Sequence, residues 1–510
     1  MMDQEMNSNP ENSGNNPPKK WVYTPPADHL AEKREMLFAV CILVSAMLLW
    51  NSICCGGFHL GFAIGSVLII GCSVVYLIRS GHRFDWYSGT LIGFCVLIAV
   101  GFGWSDDGFV KLVMLVFQIT ALNLGLCLAA KQNASGPNGV TSLFDAPRTL
   151  FGLGFGNLGK ARRGLVEGVV YSSNAGKKAG AVAVGLVFSI PLVAVMVALL
   201  TGADAAFEGL LNQFPEIRLK EILWTVLIGG FAGFIMYTRA VSLHRGPKPE
   251  KKEPWIPKTS PLTVNTILAA VSLVYCVYLF SQLAYLSGGF AGILPEGYTL
   301  AAYARRGFFE MAVLCGINLL CISFSVGLVE KKGKTPGLTR GMCLFIGLIT
   351  LFLVVTSSAK MIMYIDGFGL TRLRVLTQVI TVFLGITTTV VCVWLFLPKL
   401  PYMRVILLLA LTMGAVTLWA DVDSQVAKYN VSAYRSGRLE TVDVDYLSRL
   451  GSGAIPYIEE LIWDSDPKIA LKACRILKGM TDACGDDWRG WCYLDSQAQD
   501  ILDALPFLSE

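Results

Sequence analysis

Long apolar stretches, separated by short clusters of glycine, proline and charge, constrain this chain more than any other feature. A bilayer core of about 30 Å needs roughly 20 apolar residues of helix to cross it. In lipid every backbone N–H and C=O has to be paired within its own segment, which an α-helix does unaided. Eleven such stretches occur, at about 36–55, 59–78, 87–104, 109–129, 181–201, 221–241, 264–285, 307–328, 342–362, 375–396 and 404–420. Breaks fall at Gly56-Gly57, Arg79 to Asp85, Ser105 to Asp107, Pro247 to Pro261, Lys331 to Arg340 and Pro398 to Pro401. The expected fold class is therefore all-α, a polytopic transmembrane helix bundle of about 11 spans. Charged residues make up 15% of the chain, against about 25% in a soluble domain. That excludes a large soluble enzyme and a disulfide-built secreted domain.

The net charge of +5 is the sum of two opposed parts. Residues 421–510 hold 16 acidic and 9 basic side chains, and the rest of the chain holds 21 and 33. The positive charge thus belongs to the membrane part, which speaks against nucleic acid as a partner. With the N-terminus in the cytoplasm, 25 basic residues fall in inner segments and 8 in outer loops and helix ends. Basic loops stay on the cytoplasmic side. The expectation is a multi-pass protein of the cytoplasmic membrane with a cytoplasmic N-terminus and an extracytoplasmic C-terminus.

Five regions follow: a disordered cytoplasmic tail at 1–35, with no cleavable signal; four spans at 36–129; a cytoplasmic Gly-rich basic segment at 130–180; seven spans at 181–420; and an extracytoplasmic acidic tail at 421–510. The basic stretch around Lys160, Arg162, Arg163 and Val166 reads either as an interfacial helix or as a solvated loop. The tail reads as a small C-terminal helical extramembrane module. Asp466-Pro467 is a helix start, with an N-cap acceptor before a proline at the first helical position. Ile469, Ala473, Ile476, Leu477 and Met480 then recur at helical spacing, and Ile455, Ile458, Leu461 and Ile462, and Ile501, Leu502 and Leu505, make shorter stripes.

Chemical motifs are few. Gly154 to Lys160 fits most of a phosphate-binding G-x-x-x-x-G-K loop. However, Ala161 stands where Ser or Thr should hold magnesium, and no strand precedes the glycines. Of 14 cysteines, only Cys474, Cys484 and Cys492 lie in the tail. They read as reduced thiols or as a Cys484–Cys492 bridge. The histidines His29, His59, His82 and His244 are scattered, with no zinc spacing in sequence. No cofactor or metal is expected.

Polar groups at membrane depth are more informative, because charge there is costly and tends to be paired or functional. Tyr303, Arg306 and Glu310 share one helical face, with Asn318 about 12 Å deeper. The next hairpin brings Lys360, Tyr364, Arg372 and Arg374. Snorkelling to headgroups explains many such Tyr and Arg residues. Glu310 is the exception, since it is interior and needs a partner; Lys360, Arg374 or Arg306 on its own helix could supply one. The candidate polar site is Tyr303, Arg306, Glu310, Asn318, Lys360, Tyr364 and Arg374.

Tyr303-Ala-Arg-Arg-Gly-Phe-Phe-Glu310 with Asn318, then Lys360 and Tyr364 with Gly369-Leu-Thr and Arg374, resembles the families of domains of unknown function 4153 and 4173. Asn430, Arg435, Gly437, Asp445-Tyr-Leu and Ala454-x-Pro456 extend the resemblance, which runs from about Gly180 to Leu461. It implies a bacterial integral membrane protein and carries no activity. From the residues, the expectation is a cell-envelope transport or sensing protein with an outward-facing polar site. Its partners would be the lipid bilayer, a small or lipidic ligand, and an envelope protein met through the tail. The alternatives are a scaffold acting through that tail, or a membrane-embedded enzyme on a lipid-linked substrate. The enzyme would use Glu310 as acid or base, with Arg306 and Arg374 on a phosphate.

Overall fold

Helices stop where the sequence withdraws a hydrogen bond or a favourable backbone angle, and these stops set the architecture of the computed structural model. It describes residues 32–134, 140–171, 219–249, 259–289, 308–329, 336–480 and 487–505, with a few positions between 189 and 200. Helices α1 (Lys33–Gly56), α2 (Leu60–Arg79), α3 (Trp86–Gly101) and α4 (Gly108–Ala129) run up and down. Asp85 caps α3 through Ser88 N, and Asp107 caps α4 through the amides of Phe109 and Val110. Helical turns over 140–156 lead into α5 (Leu158–Tyr171), whose Ala161 is buried while Lys160, Arg162 and Arg163 are exposed. The segment before Gly154 is thus helical, and a Cβ on Gly154 would press on Ile235 at 3.0 Å. Gly154 serves close packing there, while a Cβ on Gly156 or Gly159 would meet open space.

Leu219–Trp224, Thr225–Gly229 and Gly230–Arg245 run on as one rod, α6, with a π-turn in its middle. Next come α7 (Pro261–Gly289), α8 (Phe308–Leu328), α9 (Gly337–Phe368), α10 (Arg372–Phe396) and α11 (Tyr402–Trp419). Nine helices among the described residues are long and apolar enough to cross a membrane. The apolar helix Trp86–Gly101 has 16 residues, and the expected span at 181–201 lies outside the described residues. No extended strand occurs among them, only a bridge between Thr259 and Val329. The chain is an all-α polytopic bundle.

Two main cores divide the membrane part, beside a smaller cluster of Tyr275, Cys315, Ile349 and Leu353. One joins α1–α4 and α6 around Ile42, Leu77, Leu91, Ile98 and Leu126. The other joins α7–α11 around Leu268, Ile322, Ile346 and Val391. Helix α11 belongs to both, since its Leu407, Leu411 and Leu418 complete the first. The module then folds as α12 (Val422–Arg435), α13 (Val444–Ser448), α14 (Ile455–Glu460), α15 (Pro467–Lys478) and α16 (Tyr493–Asp503). It has its own core of Val426, Leu447, Ile455, Ile458, Leu461, Ala473, Leu477 and Leu502. Asp466 caps α15 through Lys468 N at 2.9 Å.

The two ends of the bundle differ. At one end Gln132 donates to the Gly246 carbonyl, and Arg245 pairs with Glu35 at 2.8 Å. His82 meets His244 at 3.1 Å at that same end. At the other end the module sits on the turns after α1, α3 and α9. Leu60 N donates to Trp491 O and Tyr493 N to Gly103 O, while Trp104 stacks on Tyr493 at 4.5 Å.

Candidate functional site

Among the described residues singled out from sequence, Asn318 lies apart from Tyr364 and Arg374. Asn318 lies buried between α7, α8 and α9. It accepts from Tyr275 OH at 2.7 Å and donates to Thr350 Oγ1 at 2.9 Å. Thr350 precedes Tyr364 on α9 by 14 residues, so about 21 Å of helix separates the two levels. Asn318 is a lock between spans. Arg374 and Tyr364 do come together, with the guanidinium 3.9 Å above the ring centroid. Arg374 also donates to the Phe368 carbonyl at 3.0 Å and to that of Gly369. Lys360 is half-buried one turn deeper on α9. Tyr303, Arg306 and the Glu310 side chain lie outside the described residues, so the expected Glu310 pairing does too.

Helix α9 has 32 residues, about 48 Å at 1.5 Å per residue, well beyond a bilayer core of about 30 Å. Its last turns rise to meet the module. There Asn430 clasps the α9–α10 turn, accepting from Leu370 N at 2.7 Å and donating to Leu370 O at 2.8 Å. Gly369 has φ +73°, and a Cβ there would stand 2.7 Å from Asn430 Oδ1. Only glycine permits both the angle and the approach. Between turn and module lies a polar cleft of about 660 Å³, lined among others by Asp366, Arg374, Arg438, Glu440, Asp443 and Tyr446.

Beside this cleft the module is clamped by buried charge, which sequence reading missed. Arg372 donates to Asp423 Oδ1 at 2.6 Å, makes a second bond to Oδ2, and stands 3.6 Å from Asp107 Oδ2. Asp107, Asp421 and Asp423 are all buried. Asp421 adopts φ +47°, which turns the chain from α11 into α12; short polar side chains tolerate that region. Further along the interface Lys111, 1% exposed, stands 3.1 Å from His59 Nδ1. His59 Nε2 is 3.9 Å from Asp106, and Ser452 donates to Asp495. Lys111 carried the signal that was available: a lysine one turn inside a predicted span needs a partner. Nothing local in sequence named Asp495 or Asp423.

Burial lifts the Asp423 carboxyl to about 6, against the pull of Arg372, and the nearby Asp107 and Asp421 push the same way. Asp421 is raised too, chiefly by burial. The Tyr446 hydroxyl accepts from the Arg372 backbone N–H at 2.8 Å. A carboxyl whose docked pKa exceeds its free value holds its proton longer when docked. Docking is then strongest below the free value near 3.8 and weakens as pH rises towards 6. The docking constant should fall about tenfold between pH 5 and pH 7, read as lower amide protection in α12 and α13 once the intrinsic rise of exchange with pH is divided out. Equal or higher protection at the higher pH would contradict this.

These features define an integral membrane protein whose helical module is seated on one end of its bundle. The chain belongs to the domain of unknown function 4153 family (DUF4153), which it matches over residues 91–461. The match covers Asp106, Asp107, Lys111, Arg372, Asp421, Asp423 and the cleft, and leaves out α1, α2, α15 and α16. No curated protein and no solved structure matches the chain.

Proposed function

We propose that the protein senses a ligand at the outer face of the cell membrane and reports it through the seat of its C-terminal module. One observation carries this reading: the polar cleft is built jointly by the α9–α10 turn and by the module. An occupant there touches both and changes how firmly one holds the other. Arg374 and Arg438 share the cleft with Asp366, Glu440 and Asp443. Their complement is an anionic group beside hydrogen-bond donors, as in a phosphate carrying a hydroxylated head. The lining residues all lie at the module's end of the bundle, which favours sensing over transport.

The test uses the full chain in phosphatidylcholine nanodiscs. One arm adds inorganic phosphate and the other replaces part of the lipid with phosphatidylglycerol. Amide exchange at 366–374 and 430–446 should slow in one arm, and the slowing should vanish in Arg374→Gln and Arg438→Gln. Unchanged exchange with both probes would defeat the reading.

The basic residues support an extracytoplasmic module. Ser436 and Lys248 are both exposed, at opposite ends of the bundle. In intact cells an impermeant thiol reagent should label Ser436→Cys above the parent protein and leave Lys248→Cys unlabelled. The opposite result would invert the topology.

A further inference from the structure

We infer that His59, Cys492 and Asp495 form a binding site for a divalent transition-metal ion of the zinc class, joining the module to the membrane bundle. A ring nitrogen of His59, the Cys492 thiol sulfur and an Asp495 carboxylate oxygen all lie within 4.8 Å of one another. They come from two distant parts of the chain, the α1–α2 turn and the start of α16. Cys492 and Asp495 are three residues apart, which puts both on one face of that helix start. Cys492 is fully buried, Asp495 is 8% exposed, and neither is solvated as a surface residue would be. One nitrogen, one sulfur and one oxygen donor make a set of borderline softness, the kind zinc takes in tetrahedral geometry.

The neighbouring side chains are Lys111 and Asp106, and Lys111 changes partner when the metal binds. Lys111 holds His59 at Nδ1, which turns Nε2 toward Asp106 at 3.9 Å. Nε2 is therefore the metal-facing nitrogen, and Asp106 supplies the fourth donor, a second oxygen, or is the partner of a bound water. Tetrahedral bonds of roughly 2.0–2.3 Å put donor atoms under 4 Å apart, so the side chains close inward by about 1 Å. Cys492 loses its thiol proton to solvent, breaking its hydrogen bond to the Trp104 carbonyl. The His59 ring proton moves from Nε2 to Nδ1, and the Lys111 ammonium turns from Nδ1 to Asp106. Lys111 is within electrostatic reach of Cys492, Asp106 and Asp495. One dication and one ammonium then balance a thiolate and two carboxylates, leaving the buried set neutral. This site is separate from the cleft, so either can fail without the other.

The test is cobalt substitution in the purified full chain, stripped of metal in detergent. Titrated Co2+ should give the intense visible bands of a tetrahedral ion, with a near-ultraviolet sulfur-to-cobalt charge-transfer band, saturating at one equivalent. Cys492→Ser should remove the charge-transfer band, and Asp495→Asn should weaken binding at least tenfold. Zn2+ should displace the cobalt. The parent protein alone can overturn the inference, by showing only the weak spectrum of hydrated Co2+. A charge-transfer band that persists in Cys492→Ser would place the metal on another thiol and overturn it equally.

Discussion

Replacing Arg372 with leucine should unseat the C-terminal module. Arg372 is the cation between Asp423 and Asp107, both buried, with Asp421 close by. Removing one partner of a buried pair costs about 3–5 kcal/mol, because the charge left behind keeps its desolvation penalty. The α12 core should still form, since its apolar contacts with α13 and α14 do not involve Arg372. The expected result is a lower melting temperature in detergent, together with fast amide exchange where Asn430 meets Leu370. The defect should shrink at pH 5, where protonation relieves the stranded carboxyls. Arg372→Lys should recover only part of the loss, since an ammonium lacks the planar fork that binds both Asp423 oxygens. A variant that melts like the parent at pH 7.5 would show that the clamp contributes nothing.

Gly229→Leu should separate α1 from α6. Gly229 and Gly233 lie four residues apart on α6 and face α1 directly. A Cβ on Gly229 would stand 2.8 Å from Met47 Cα, and one on Gly233 would stand 3.0 Å from Leu43 Cα. Backbone cannot give way as a side chain can. Helices in lipid rely on such close approach, because no hydrophobic force drives them together. Overpacking costs typically about 1–3 kcal/mol, occasionally more, and leucine against backbone belongs at the upper end. Gly230→Ala is the control, since its Cβ meets only the flexible end of Met47 at 3.2 Å. The expected order of folded yield is parent, then Gly230→Ala close behind, then Gly229→Leu well below. Equal yields for the two variants would mean that the α1–α6 contact is looser than drawn.

Candidate residues divided according to whether their partners were local. Tyr364 and Arg374 face each other across one turn, and proximity in sequence was enough to group them. Asn318, further along the same span as Glu310, turns inward to Tyr275 and Thr350. Arg239, one of the 25 basic residues assigned to inner segments, lies within α6. It is 2% exposed and donates to Asn123 and Ser73 inside the first core. Hydropathy averages over a span, so it does not resolve which face a single charged residue takes.

Sequence by itself determined the helical class and the places where most of the described spans begin and end. Those features depend on a one-dimensional rule: a run of apolar residues crosses lipid as helix, and Gly, Pro, capping Asp or charge ends it. It also determined α15, since Asp466-Pro467 carries its own start signal. Only tertiary structure decided that the module rests on the ends of α1–α4 and α9–α11, and that His59, Lys111, Arg372, Asp423 and Asp495 meet there. In sequence each of these looks like an ordinary polar residue at a membrane edge. Their pairing depends on which helix ends lie side by side, and that order is set by packing between spans, which no local pattern encodes.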